Sequence, residues 1–316
     1  MTALAPGLSY VDLHFQGRPG VIATGVLQGA DGVALVDPGP STTLPALRKA
    51  LEARGVAPPD VRAILITHIH LDHAGATGTL CALYPDARVF VHPRGAPHLI
   101  DPAKLLASAG RLYGDDMDRL WGAVEPVPSN RVERLDVGEA GQPMALDLRV
   151  ASHDVQVNWT PGHAWHHVSY FLPDARLAFV GDTAGLCRQG SGVVLPATPP
   201  PDVDLDAWRA STERILTWNP DTMFLTHFGP HRSPRVHFQD LWRRMDDWSR
   251  RVRAQVAAGT PVAAAAAAFM GEVDRELAGR VGRTEADAYA AAGRFDFSWT
   301  GLARYWAKRG ASSPRG

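Results

Sequence analysis

Residues 61–66 (Val-Arg-Ala-Ile-Leu-Ile) form a short apolar run of the kind expected for a strand covered on both faces, and they lead without a break into Thr67-His68-Ile69-His70-Leu71-Asp72-His73. In an extended segment, side chains two positions apart project the same way, so His68 and His70 can grip one cation from the strand's end. Asp72 and His73 are adjacent and cannot share a strand face, so the chain must turn there and offer the pair to a neighbouring cation. Gly75 permits tight backbone just beyond. Three imidazoles and a carboxylate packed into six residues after a buried strand serve no ordinary packing purpose. Burying such groups unsatisfied costs several kcal/mol, and coordination to a metal satisfies all of them together. Imidazole with carboxylate suits zinc first, with iron or manganese as alternatives.

Around this cluster, β-branched or alternating runs predict strands at 8–15, 21–27 and 33–36, before a helix over 44–54. A helix over 74–84 and a strand over 88–91 follow the cluster. Residues 92–128 carry apolar positions at helical spacing broken by Pro and Gly, and read as a helical insertion covering the metal edge. Strands return at 132–135, 144–150, 155–159, 168–172 and 177–180. A Pro-rich loop (195–201), a helix (205–218) and a short strand (223–225) come next. From 233 onward the pattern is helical, with Ser233 as the expected cap, Pro234 in the first turn, and further helices over 261–277 and 285–292. The strand-and-helix pattern recurs in two halves, 8–136 and 144–230, which two face-to-face sheets with helices outside would satisfy. The expected division is a domain over 1–232 and a helical C-terminal extension over 233–316 packed on it.

Three more polar residues stand where loops leave strands: His163 in Thr-Pro-Gly-His, Asp182 in Val-Gly-Asp-Thr, and His227 in Leu-Thr-His-Phe-Gly. An isolated histidine is usually a surface or hydrogen-bonded residue; it is the cluster at 68–73 that gives these three meaning. Together the motifs resemble those of the metallo-β-lactamase-fold superfamily, in the same order, across roughly 8–230. That resemblance implies an α/β (α+β) fold: a four-layer αββα sandwich of two mixed sheets flanked by helices, with metals at one edge. It implies one metal on His68, His70 and His163, a second on Asp72, His73 and His227, and Asp182 bridging both. It also casts Asp37, in Val-Asp-Pro-Gly, as an orienting partner of a ligand histidine or a plain turn residue. Pro161-Gly162-His163 and the lone His227 look most like the glyoxalase II, lactonase and phosphodiesterase branches, and 94–102 resembles prokaryotic members of undefined substrate.

The chemistry so implied is hydrolysis. Two divalent cations about 3.5–4 Å apart acidify a shared water and polarise a substrate oxygen, with Asp72 and Asp182 as the catalytic carboxylates. The expected substrate is a small lactone, carboxylic ester, thioester or phosphoester, phosphotriesters included. Tyr113 and His231 are candidates for protonating the leaving group; Tyr113, Trp121, Trp165, His166 and His231 are candidates for the pocket or its immediate support. If 165–170 is a strand, His166 and His167 face opposite ways. The net charge of -1 argues against a nucleic-acid partner, and no apolar run approaches the roughly 18 residues of a membrane span. Cys81 and Cys187 match no paired spacing and Met1–Pro6 lacks a leader pattern, so the expected setting is the cytoplasm. The stripe of Phe238, Trp242 and Trp248 reads as packing or as a homodimer face. Competing readings are a nuclease, a mononuclear-iron persulfide dioxygenase, and a binding protein that keeps its metals structurally.

Overall fold

The computed structural model describes residues 1–138, 141 and 143–312. Two sheets face each other. The first runs in sequence order through β1 (Thr2–Ala5), β2 (Leu8–Asp12), β3 (Ala23–Gly29), β4 (Gly32–Val36), β5 (Val61–Leu65), β6 (Arg88–Val91) and β7 (Val132–Arg134). It is antiparallel up to β4 and parallel beyond. The second comprises β8 (Ala145–Val150), β9 (His153–Trp159), β10 (Val168–Leu172), β11 (Leu177–Phe179), β12 (Thr222–Leu225) and β13 (Gly229–Arg232), with only β11 and β12 parallel.

Period-two alternation sorts each strand's side chains between layers. In β4, Ala34 and Val36 enter the core between the sheets, while Val33 and Leu35 face the helices outside. In β5, Ala63 and Leu65 point inward and Ile64 outward, which is why the strand reads as unbroken apolar sequence. Tyr170 crosses the inter-sheet core, and its hydroxyl donates to Ile66 O at 2.8 Å. The outer face of the first sheet packs on α1 (Leu44–Glu52), the short turn α2 (Leu71–Ala74), α3 (Thr77–Leu83), α4 (Ala96–Ile100), α5 (Ala103–Tyr113) and α6 (Met117–Leu120). The outer face of the second packs on α7 (Leu205–Thr217) and α8 (Pro234–Ala257). The helices α9 (Val262–Val281), α10 (Arg283–Ala292) and α11 (Phe295–Ser312) gather with α8 around Trp208, Trp248, Phe269 and Trp299. The result is the four-layer αββα sandwich. Among the described residues no helix is long and apolar enough to cross a membrane. Residues 313–316 of the C-terminal extension lie outside the described residues.

Several sequence expectations need correction. The predicted first strand stops at Asp12, where a 3-10 turn (Phe15–Gly17) follows. The predicted helix over 74–84 is two pieces: α2 places Asp72 and His73 on a helical turn of their own, and α3 starts only at Thr77. Ser233 adopts a left-handed backbone and its hydroxyl caps nothing. β1, β13 and α11 were not foreseen; Gly-Pro-His-Arg in β13 is strand only because it pairs with β12. Phe238, Trp242 and Trp248 are buried within the chain, which removes that stripe as a dimer face.

His237 on α8 is buried, and its Nε2 donates to Ala184 O at 2.8 Å. Burial pushes its imidazole down to about 4, against an unfolded value near 6.5. Between those limits the unfolded chain binds a proton that the folded chain refuses, so stability falls as pH drops. Acidification from pH 7.5 to 4.5 is expected to cost the native protein roughly 2 to 3 kcal/mol more than a His237→Gln variant. Urea unfolding of both proteins at both pH values measures the difference; parallel losses would remove His237 as the cause.

Candidate metal centre

The HxHxDH segment leaves β5 extended through His70 and then coils into α2, so one stretch of backbone serves two clusters of donor atoms. In the first, His70 Nδ1 lies 3.0 Å from His68 Nε2 and 2.9 Å from His163 Nε2. In the second, Asp72 Oδ2 lies 3.1 Å from His227 Nε2 and 3.8 Å from His73 Nε2. Asp182 stands between them. Its Oδ1 is 3.3 Å from His73 Nε2 and 3.8 Å from His227 Nε2, and its Oδ2 is 3.5 Å from His163 Nε2. The sequence-named set His68, His70, Asp72, His73, His163, Asp182 and His227 is thus brought together at one edge of the sandwich.

Each supporting loop is built for this. His163 follows Gly162, whose φ of +135 and contact with the Trp208 backbone leave no room for a Cβ. Asp182 follows Gly181, where a Cβ would stand 2.6 Å from Thr67 Oγ1 and 2.7 Å from His167 Nε2. The buried Asp37 carboxylate accepts hydrogen bonds from Thr67 N, Thr67 Oγ1, His73 Nδ1 and Thr226 Oγ1, all at 2.7–2.8 Å. It therefore ties the β5 exit to the β12 exit. Thr67 and Thr226 each precede a candidate ligand; the repeated Thr-His pair was visible in the sequence, but its purpose was not.

The far nitrogens fix the tautomers. His163 Nδ1 donates to Ala197 O (2.7 Å), His227 Nδ1 to Val21 O (2.8 Å) and His73 Nδ1 to Asp37. Thr67 Oγ1 spends its proton on Asp37, so at 3.1 Å it accepts from His68 Nδ1. All four rings therefore turn an Nε2 lone pair toward the cluster, as carboxylate- and carbonyl-backed metal ligands do. His167, also buried, accepts from Asp182 N at 3.2 Å and so holds the bridging residue's backbone.

The charges agree. Burial first, then neighbouring imidazoles, hold His68 well below the usual range, and burial and His163 take His70 to about 3. Burial alone would raise Asp72, but His73 and His227 outweigh it and take the carboxyl to about 2. Asp182 is drawn down well below its ordinary value by His73, His227 and His163 against the same burial. Burial would lower His73 and His227, yet the carboxylates raise both. Ionised carboxylates thus draw protons onto His73 and His227, where a cation would replace them.

The residues fit divalent metal ions on a further count. His73 Nε2 and Asp182 Oδ1 are buried without a hydrogen-bond partner, facing each other. A proton can serve only one pair of atoms in a cluster, whereas a cation serves every donor around it. The observed spacings bracket the roughly 3.3 Å edge of a tetrahedron with metal–nitrogen bonds near 2.0 Å.

The centre forms the floor of a cavity of about 270 Å³. Leu105, Leu112, Tyr113 and Trp121 from the insertion make one wall. Arg294 and Phe297, from the extension, make another that sequence reasoning missed. Burial, then the charge on Asp72, raises the Tyr113 phenol well above its usual value. Two of the pocket candidates do not line it. Trp165 is not among the residues lining the cavity; its ring packs on Trp159, and its carbonyl accepts from Trp159 Nε1 at 2.8 Å. His231 also lies outside it, with Nε2 donating to Cys187 O and Phe228 O. Residues 165–167 are not strand, since β10 begins at Val168; His166 lines the cavity while His167 sits behind it.

Comparison with known proteins places these features in a family. The chain is 29% identical over 181 residues to the metallo-beta-lactamase fold-containing protein ST1585 of Sulfurisphaera tokodaii, covering 56% of this chain and 64% of that one. It is 30% identical over 186 residues to a hydroxyacylglutathione hydrolase of Synechococcus sp. (strain JA-3-3Ab), covering 58% and 56%. The chain therefore spans less than two thirds of the length of these curated relatives. The crystal structure of ST1585 superposes with a TM-score of 0.61 at 26% identity, over 75% of this chain and 85% of that one. TTHA1623 of known structure in a di-iron-bound form gives 0.52 at 27% identity, over 70% and 93%. The metallo-β-lactamase superfamily profile matches residues 17–227, two thirds of the chain, and the chain belongs to that superfamily.

Proposed function

We propose that the chain is a dinuclear metal-dependent hydrolase of small ester-type substrates: lactones, carboxylic esters, thioesters or phosphoesters that carry an apolar group. The observation that carries this reading is the pair of donor clusters sharing Asp182 at the floor of a cavity with mostly apolar walls. Superfamily membership and relatives named hydroxyacylglutathione hydrolase support the hydrolytic class, and the di-iron form of TTHA1623 supports a two-metal centre. Bound divalent cations, zinc first and iron or manganese next, supply an activated water and an electrophile.

The chain's own residues do the rest. His68, His70 and His163 would hold one ion, Asp72, His73 and His227 the other, and Asp182 both. Asp37, Ala197 O and Val21 O keep the ligand rings aimed. Leu105, Leu112, Trp121 and Phe297 exclude water from the substrate's apolar part. Tyr113, its phenol kept protonated, serves as an O–H donor to a substrate oxygen on the Asp72 side. The partner is a small molecule rather than nucleic acid.

Metal analysis combined with a chromogenic panel of lactones, aryl esters, thioesters and phosphate mono-, di- and triesters tests the reading. The expected result is about two metal equivalents per chain and turnover of apolar esters that is insensitive to salt. Cleavage of oligonucleotides in place of small esters, oxygen uptake with a persulfide, or no turnover at full metal loading would each overturn it.

A further inference from the structure

His166 is the one histidine beside the first donor cluster that neither joins it nor backs it. Its ring lies parallel to His68 with centroids 6.1 Å apart, meets His70 edge-on at 5.8 Å, and lines the cavity. Its Nδ1 accepts from Ile69 N at 3.4 Å, so in the neutral ring Nε2 carries the proton. Among the described residues that N–H meets no acceptor, although every neighbouring imidazole in the centre is backed by a partner or aimed into a cluster. The rest of the cavity wall is mostly apolar, and its other donors, Tyr113, Lys104 and Arg294 among them, come from the insertion and the extension. His166 offers its N–H from beside the first cluster, where an oxygen of the substrate can meet it.

We propose that His166 is a further catalytic residue, whose Nε2–H donates a hydrogen bond to the substrate oxygen that gains negative charge beside the His68–His70–His163 cluster. The inference rests on the hydrolase reading above. As water adds to the carbonyl carbon or phosphorus, the O–C or O–P bond forms and the π or P–O electron density moves onto that oxygen. The bond to the leaving group then breaks, and the water's proton goes to the departing oxygen or sulfur. His166 donates its N–H throughout and gives up no proton, so electrostatic stabilisation is its whole contribution.

The test compares His166→Phe and His166→Gln with the native metal-loaded protein. Loss of one such donor is expected to lower kcat about 10- to 100-fold, with KM changed far less. His166→Gln, which keeps an N–H at similar reach, recovers part of that loss. Metal content stays equal in all three proteins. A readout independent of turnover is calorimetric binding of an aryl phosphonate monoester, a tetrahedral anion; its affinity falls by a similar factor in His166→Phe and partly returns in His166→Gln. Nitrogen-15 histidine spectra are expected to show His166 as the Nε2–H tautomer, shifted by the phosphonate. Unchanged phosphonate affinity in His166→Phe, failure of the native protein to bind the phosphonate, a Nδ1–H tautomer, or a loss explained by lower metal content would overturn the proposal. If the native protein binds the phosphonate through His166 but turns over no ester, the hydrolase reading fails and the donor assignment survives.

Discussion

Asp182→Ala is expected to abolish hydrolysis, with a loss of at least about 10³-fold, and to strip the centre of one or both metals. Losing a partner that only orients a ligand typically costs about 10- to 100-fold in metal affinity. Asp182 is placed more critically, with Oδ1 toward His73 and His227 and Oδ2 toward His163. Its truncation removes one oxygen from each cluster and a negative charge that adjoins both. His68, His70 and His163 would then face their cation as neutral rings, and Asp72 alone would balance the other. The fold should survive, because the Asp182 side chain makes no hydrogen bond that the sheet needs and Oδ1 is already unpartnered. Thermal unfolding, metal quantification and ester turnover measured on one preparation distinguish the outcomes. Asp182→Asn separates charge from shape: it keeps the oxygen and is expected to retain more metal than Asp182→Ala while remaining severely impaired. Native rates in Asp182→Ala would refute the assignment of this site.

What the sequence made legible, and what it hid, follows from the range of the interactions. The HxHxDH cluster was legible because it follows a strand whose residues alternate between two buried layers, Ala63 and Leu65 inward and Ile64 outward. The αββα layering could be read because most strands and helices carry their own periodicity. The Gly-rich exits before His163 and Asp182 signalled sharp turns, though not what they approach: the Trp208 backbone in one case, Thr67 and His167 in the other. Features made by distant pairing were hidden. β13 has no strand-like composition and exists through its register with β12. Arg294 and Phe297 reach the cavity from about 130 residues beyond His163, the result of how α10 and α11 pack, and no local pattern announces it. Proximity in sequence also misled. Trp165 stands two residues from His163 yet packs on Trp159 with ring centroids 6.0 Å apart, and His231 stands four from His227 yet turns to the backbone of Cys187.

The second large effect is expected at Asp37, which lies outside the donor clusters. Its carboxylate is fully buried and accepts four hydrogen bonds. Removing it leaves Thr67 N, Thr67 Oγ1, His73 Nδ1 and Thr226 Oγ1 without their acceptor, at about 1 to 3 kcal/mol for each buried group so stranded. Its backbone φ of 49° adds strain for alanine, whereas Asp and Asn tolerate the left-handed region. A total of several kcal/mol is comparable with the whole stability of a typical domain, so Asp37→Ala is expected to accumulate poorly or to unfold well below the native protein. The informative variant is therefore Asp37→Asn. It keeps the size and the backbone preference, and one oxygen can still accept from Thr67, but its amide nitrogen cannot accept from His73 Nδ1 or the two hydroxyls. His73 then loses the acceptor that fixes its tautomer, and the Thr67–His68 and Thr226–His227 exits lose their common anchor. Asp37→Asn is expected to fold, to bind metal about 10- to 100-fold more weakly, and to recover turnover as metal is added in excess. Chelator competition measures the affinity, and turnover against added zinc measures the recovery. Native affinity in a folded Asp37→Asn protein would show that the donor clusters are held without this carboxylate.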